Sequence, residues 1–177
     1  VSTVVVERSF VEPVAFETIQ AIEVRSAWCL EAHGVTFSRT FFSHDRRRMV
    51  CVYEAPDAES VRLAQQKAGM PFERAWTARV VRHGGPEPSG DAVIVERSLP
   101  DPADETTIRE MAAEKAWCLE QWGCSIVWSF LTLDGRRCLC VFTAPDAESV
   151  RQAQRRAGLP YERAWRATVH EAARKAG

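Results

Sequence analysis

The sequence lacks any apolar run approaching the roughly 20 residues that span a bilayer. Its opening, Val1-Ser2-Thr3-Val4, lacks the charged and apolar regions of a secretion signal. Both absences point to a cytoplasmic protein with no membrane partner. An excess of positive charge is missing too: 23 Lys and Arg stand against 24 Asp and Glu, for a formal charge of -1. That balance leaves no basic face for nucleic acid. Glycine-rich phosphate loops and nucleophile elbows are absent, so no organic cofactor is expected. No Cys-x-x-Cys pair occurs, and His33, His44, His83 and His170 are scattered without a paired ligand spacing. Six cysteines in such a chain read as free thiols or metal ligands rather than disulfides.

What is present is the balance of a globular protein, 46% hydrophobic and 27% charged over 177 residues. That length allows one ordinary domain or two small ones. An internal repeat decides between them. Laying Val4 on Val93 sets a constant shift of 89 positions (93 − 4), which holds without a gap to Val80 on Val169. Trp28-Cys29-Leu30-Glu31 recurs as Trp117-Cys118-Leu119-Glu120, and the run Ala55 to Arg62 recurs as Ala144 to Arg151. Two units are expected, residues 1–82 and 92–177, joined by a linker over 83–91 that holds Gly84, Gly85, Pro86, Pro88, Ser89 and Gly90.

Each unit opens on a β-branched strand, Val4 to Ser9 in the first copy. A helix follows Pro13, with Ile19, Ile22, Ser26, Cys29 and Leu30 at helical spacing and Gly34 at its end. Strands over Val35 to Phe42 and Arg47 to Glu54 flank a turn at Asp45-Arg46, matched by Asp134-Gly135 in the second copy. Asp57 caps a second helix that Gly69 and Pro71 close, and a last strand runs from Arg74 to Val81. The order βαββαβ predicts an α+β fold of two ferredoxin-like units, packed as an intramolecular pseudodimer in the manner of a dimeric α/β barrel. Glu171 to Gly177 reads as a helical fringe or frayed tail.

The Asp134-Gly135 turn fixes the register of its hairpin, placing Ser129 opposite Cys140, Leu131 opposite Cys138 and Trp128 opposite Val141. One face then carries Val127, Ser129, Leu131, Cys138, Cys140 and Phe142, assigned to the helix side. The other carries Ile126, Trp128 and Phe130, with Phe37, Phe41 and Glu54 on the matching face of the first copy. These six are the candidate walls of a ligand cavity between the sheets. Glu7 and Glu96 recur in mid-strand and are candidate proton-handling groups, with Arg39 as an anion partner. The alternative is that they satisfy one another as wall residues. Trp28 and Trp117 lie off the core stripe of their helices and are candidates for self-association.

Cys138 and Cys140 share a face, and Cys118 comes from the core stripe of the preceding helix. The first copy keeps Cys29 and Cys51, with Met49 in place of Cys138. These sulfurs are either core groups or ligands for a soft metal ion.

Several runs resemble a known family: Cys29 to Gly34, Asp45 to Cys51, Glu54 to Arg62 and Ala68 to Arg74, each with a second copy. They are similar to the small actinomycete nickel-responsive, nickel-binding proteins, and the resemblance covers nearly the whole chain twice. It implies a ferredoxin-like fold, pairing of sheets as in a dimer, and nickel binding, for which Cys29, Cys51, Cys118, Cys138 and Cys140 are the sulfur positions to test. The leading expectation is a metal-binding or small-ligand-binding protein with its site between or beneath the sheets. The alternative is a cofactor-independent enzyme acting on a small, partly apolar metabolite.

Overall fold

Valine-rich runs form the strands and aspartate caps start three of the helices along the chain. The computed structural model describes residues 1–172. Its elements are β1 (Ser2–Ser9), α1 (Phe16–Arg25), α2 (Ala27–Ala32), β2 (Thr36–Ser43), β3 (Arg48–Ala55), α3 (Ala58–Ala68) and β4 (Arg74–Arg82). The second copy supplies β5 (Asp91–Ser98), α4 (Glu105–Gln121), β6 (Ser125–Thr132), β7 (Arg137–Thr143), α5 (Ala147–Ala157) and β8 (Arg163–Glu171). Glu171 thus ends a strand instead of opening a helical fringe, and the rest of that expected fringe, from 173 on, lies outside the described residues.

The chain divides into two compact units, one from Val1 to Thr77 with Val169 onward, the other from Ala78 to Thr168. In the first, β3 pairs antiparallel with both β1 and β2. The start of β4 lies beside β1, where Glu73 N–H donates to Glu7 O at 2.8 Å, and the end of β8 lies beside β2, where Ala172 N–H donates to Ser38 O at 2.9 Å. In the second, β7 pairs with β5 and β6, β8 pairs with β5, and the end of β4 pairs with β6. The order β4-β1-β3-β2 and its repeat β8-β5-β7-β6 is ferredoxin-like. The unit boundary differs from the expected linker. It falls inside β4 because Ala78 to Arg82 pair with Thr132 to Trp128 of β6.

Asp57 Oδ1 accepts from the Ser60 N–H at 2.7 Å to start α3, and Asp146 does the same for Ser149 at 2.7 Å to start α5. The long helix expected in the first copy is broken at Ser26, which has φ −106 and ψ 8 and separates α1 from α2. Its counterpart α4 runs unbroken through Lys115, the residue that replaces Ser26. Lysine is the better helix former, since serine competes for nearby backbone groups.

Helices cover one face of each sheet. Val4, Val6, Cys51 and Tyr53 lie in one buried cluster with Ile19 and Val61, while Val93, Val95, Cys140 and Phe142 lie in another with Ile108, Leu119 and Val150. The hairpin register is as expected from Trp128↔Val141 to Leu131↔Cys138. Beyond Trp128 it shifts, and the same shift separates Phe37 from Arg39. A one-residue bulge moves the residue before it to the opposite face. Phe37 and Ile126 therefore pack on the helix side instead of the opposite wall to which alternation assigns them.

The two hairpin turns differ in cost. Both hold a left-handed residue, Arg46 with φ 61 and Gly135 with φ 71, and a Cβ added at Gly135 would come within 2.3 Å of Ala103 O. Arg46→Gly is expected to raise unfolding stability in urea by up to about 1 kcal/mol, and Gly135→Ala to lower it by about 1–3 kcal/mol.

Candidate functional site

Strand alternation and two helices build one polar cluster inside the second unit. Arg97 follows Val93 and Val95 on the helix side of β5 and is 6% exposed. Its Nη2 donates to Gln154 Oε1 on α5 at 2.7 Å and its Nη1 to Pro160 O at 3.3 Å. On β7 next to it, Cys138 Sγ and Cys140 Sγ lie 3.5 Å apart. Ser129, opposite Cys140 on β6, places its Oγ 3.3 Å from Cys140 Sγ. His83 Nε2 lies 2.9 Å from the same hydroxyl. His83 is set by its own N–H, which donates to Val127 O at 3.0 Å. Gly85 makes that close run possible, because a Cβ there would meet Ile126 O at 2.4 Å.

Arg97, Gln154, Ser129, Cys138 and Cys140 line a cavity of about 40 Å³ whose other walls include Ile108, Met111, Ala112, Ile126 and Phe142. A surface groove of about 320 Å³, lined by Arg82, His83 and Arg109, shares the walls Ala112 and Ile126. The hydrogen bond from Cys138 and, against the cost of burial, the nearby Arg97 charge hold the Cys140 thiol below its ordinary range. Cys138 is pushed up by its bond to Cys140 and by burial. The pair therefore favours one shared proton and one thiolate. Burial, then the Arg109 charge, lowers His83, leaving its imidazole neutral near pH 7.

The first unit has the same frame with a different filling. Arg8 Nη2 donates to Gln65 Oε1 at 2.7 Å, and Thr40 Oγ1 donates to Cys51 Sγ at 3.1 Å. Met49, Tyr53 and Glu23 stand where the second copy has Cys138, Phe142 and Ala112. Cys51, without a second thiol beside it, is pushed up by burial, as is the Glu23 carboxyl.

The other candidate residues are placed as follows. Glu7 Oε1 accepts from Trp76 Nε1 at 2.7 Å. Glu96 Oε2 accepts from Trp165 Nε1 at 2.9 Å and lies 3.3 Å from Arg163. Arg39 reaches Glu171 at 3.5 Å, and Glu54 accepts from Thr3 Oγ1 at 3.0 Å. Phe41, Trp128 and Phe130 are buried, on the face opposite the helix-side clusters. Trp28 and Trp117 are exposed, by 62% and 50%. His83, Ser129, Arg97 and Gln154 were not candidates from the sequence. Arg97 had a readable signal, a charge repeated on the apolar side of its strand, as Arg8 is in the first copy. His83 had none, since it lies in the stretch taken for linker.

A family model for nickel-responsive SCO4226-like proteins matches residues 5–77 and again 94–167. The chain belongs to that family. No curated protein matches it in sequence. Among solved structures, a protein provisionally named a chlorite dismutase is 10% identical, with 96% of this chain and 94% of that one covered and a TM-score of 0.53. That is a likeness of fold. An anthrone oxidase-like protein, 9% identical over 97% of this chain and 91% of that one, has a TM-score of 0.48. A protein of Lactobacillus acidophilus NCFM provisionally named a monooxygenase, 5% identical over 96% and 94%, has a TM-score of 0.46.

The family name raises the question of nickel, and the donor set does not fit a resident ion. Among the described residues no group of three or more His, Cys, Asp or Glu is placed to hold a metal. Of the five expected sulfur ligands, Cys138 and Cys140 approach each other, whereas Cys29, Cys51 and Cys118 are buried without joining such a group. The convergence of Cys118 with the β7 pair is thus not observed, and the Arg97 charge beside that pair opposes a dication.

The thiol pair has a direct signature. Titration of thiolate ultraviolet absorbance against pH is expected to show a step below the free-cysteine value of about 8.5. Cys138→Ala removes the largest stabilising contact of the thiolate, so the Cys140 step is expected to move upward.

Proposed function

We propose that the protein binds small molecules in the cavity beneath the sheet of its second unit. The observation that carries this reading is a space lined by two thiols, a hydroxyl and a guanidinium in one copy, at positions where the other copy has bulkier side chains at Met49, Tyr53 and Glu23. Size restricts the guest. One water needs about 10–15 Å³ of such volume, so a cavity of about 40 Å³ admits a species of a few heavy atoms and excludes a folded-back metabolite. The groove with Arg82, His83 and Arg109 offers an approach that favours neutral or anionic guests over cations. Responsiveness to nickel, on this reading, does not pass through an ion caged by the cysteines.

Xenon tests the cavity without assuming its natural guest, because it occupies small apolar voids. Crystals pressurised with xenon are expected to hold it between α4, α5 and β7. Cys138→Met, which installs the first copy's residue, is expected to remove it. Empty wild-type crystals, or undiminished occupancy in the variant, would overturn the proposal.

A further inference from the structure

The surface groove of the second unit has a chemistry of its own. It holds about 320 Å³, and among the described residues that wall it the charged ones are Arg82 and Arg109, with no acidic side chain. Arg82 ends β4 and Arg109 stands on α4. Arg109 Nη1 donates to Arg82 O at 3.1 Å, which keeps the two residues side by side. Among the described residues, neither guanidinium has a carboxylate partner. Like charges in one groove repel, and an anion lying between them relieves that repulsion. Burial first, and then the Arg109 charge, lowers His83 in the groove wall, so the potential at its imidazole is positive.

Beside the cations lies an apolar floor. Ala112, Ala113 and Ala116 follow Arg109 at the i+3, i+4 and i+7 spacing, so all four share one face of α4, and Ile126 of β6 adjoins them. The first copy has the opposite charge at these positions. At the shift of 89, Gln20 stands for Arg109, Glu23 for Ala112, Val24 for Ala113 and Glu171 for Arg82. Two cations thus become two carboxylates, of which Glu171 is paired with Arg39 at 3.5 Å. The corresponding helix face is also interrupted at Ser26, between α1 and α2. A basic groove with an alanine floor therefore belongs to the second unit and is not a consequence of the fold.

We propose that this groove binds a small aliphatic carboxylate, with the carboxylate against Arg82 and Arg109 and the hydrocarbon chain along the alanines of α4. A guanidinium meets a planar carboxylate with two parallel hydrogen bonds, and the Arg82 group makes no bond within the described residues that would compete. The chain removes apolar floor from water, a gain that an inorganic anion cannot make. No acidic group lines the groove to receive an ammonium, so an amino acid is disfavoured against the unsubstituted acid of the same length. The groove holds 320 Å³ against 40 Å³ for the cavity beneath the sheet, so it takes guests that the cavity excludes by size. The proposal goes beyond the cavity reading and does not rest on it.

The test is a titration of the full chain with sodium hexanoate, followed by nuclear magnetic resonance at constant ionic strength. Saturable shifts are expected at the side chains of Arg82, His83 and Arg109 and at the methyl groups of Ala113 and Ala116. Hexanol, hexylamine and norleucine share the chain length but lack the carboxylate or add an ammonium, and each is expected to bind roughly tenfold more weakly or worse. Arg109→Gln, which installs the first copy's residue, and Arg82→Gln are each expected to weaken hexanoate by roughly tenfold. Arg109 also holds a β4 carbonyl, so Arg82→Gln carries the decision, its thermal unfolding midpoint being expected to stay at the wild-type value. Absence of saturation, shifts confined to residues outside the groove, inorganic phosphate binding as tightly as hexanoate, or undiminished affinity in Arg82→Gln would each overturn the proposal. Hexanoate in the groove with no xenon beneath the sheet sinks the cavity reading alone. Xenon without hexanoate sinks this one alone.

Discussion

A buried guanidinium under each sheet constrains much of what surrounds it. Arg8 and Arg97 are 3% and 6% exposed, and a charge in such a place is tolerable only when hydrogen-bonded on several sides. The partners are a glutamine from α3 in one copy and α5 in the other, and a proline carbonyl just beyond each of those helices. Helix position, helix end and the start of the following strand are thereby tied to one atom group. In both units the cation also faces sulfur, Cys51 beside Arg8 and Cys140 beside Arg97, and in the second unit, where Cys138 adds a hydrogen bond, a device for fixing a helix on a sheet becomes a source of thiolate stabilisation.

Much of this was legible beforehand where local rules act alone. The shift of the repeat, the aspartate caps, and the pairing of Ser129 with Cys140 follow from patterns within a few residues of chain. What escaped depends on irregularity or on distance. Alternation has no way to anticipate a bulge, so it assigns Phe37 and Ile126 to the face opposite the one they occupy. A single serine decides that one helix breaks while its copy continues. His83 enters the site from a glycine- and proline-rich stretch whose composition announces only irregular backbone, and Cys118, though buried, does not reach the β7 sulfurs.

The two copies answer the same packing problem in different ways. Tyr53, Met49 and Glu23 fill the space under the first sheet with long side chains, leaving a half-buried carboxyl that burial holds toward its neutral form. Phe142, Cys138 and Ala112 leave the corresponding space under the second sheet open. A cavity forgoes packing contacts, and here the loss falls on one copy while the other retains the filled arrangement. Duplication thus allowed a void to arise under one sheet without weakening both.

The boundary inside β4 and the return of β8 to the first unit bear on how the chain is made. The second unit is one uninterrupted stretch, Ala78 to Thr168, whereas the first needs Val169 onward as well as residues 1–77. Domains ordinarily fold in the order they leave the ribosome. Here both units draw on β8, with Arg163 to Thr168 in the second and Val169 to Glu171 in the first, so neither sheet is whole until that one strand has been translated.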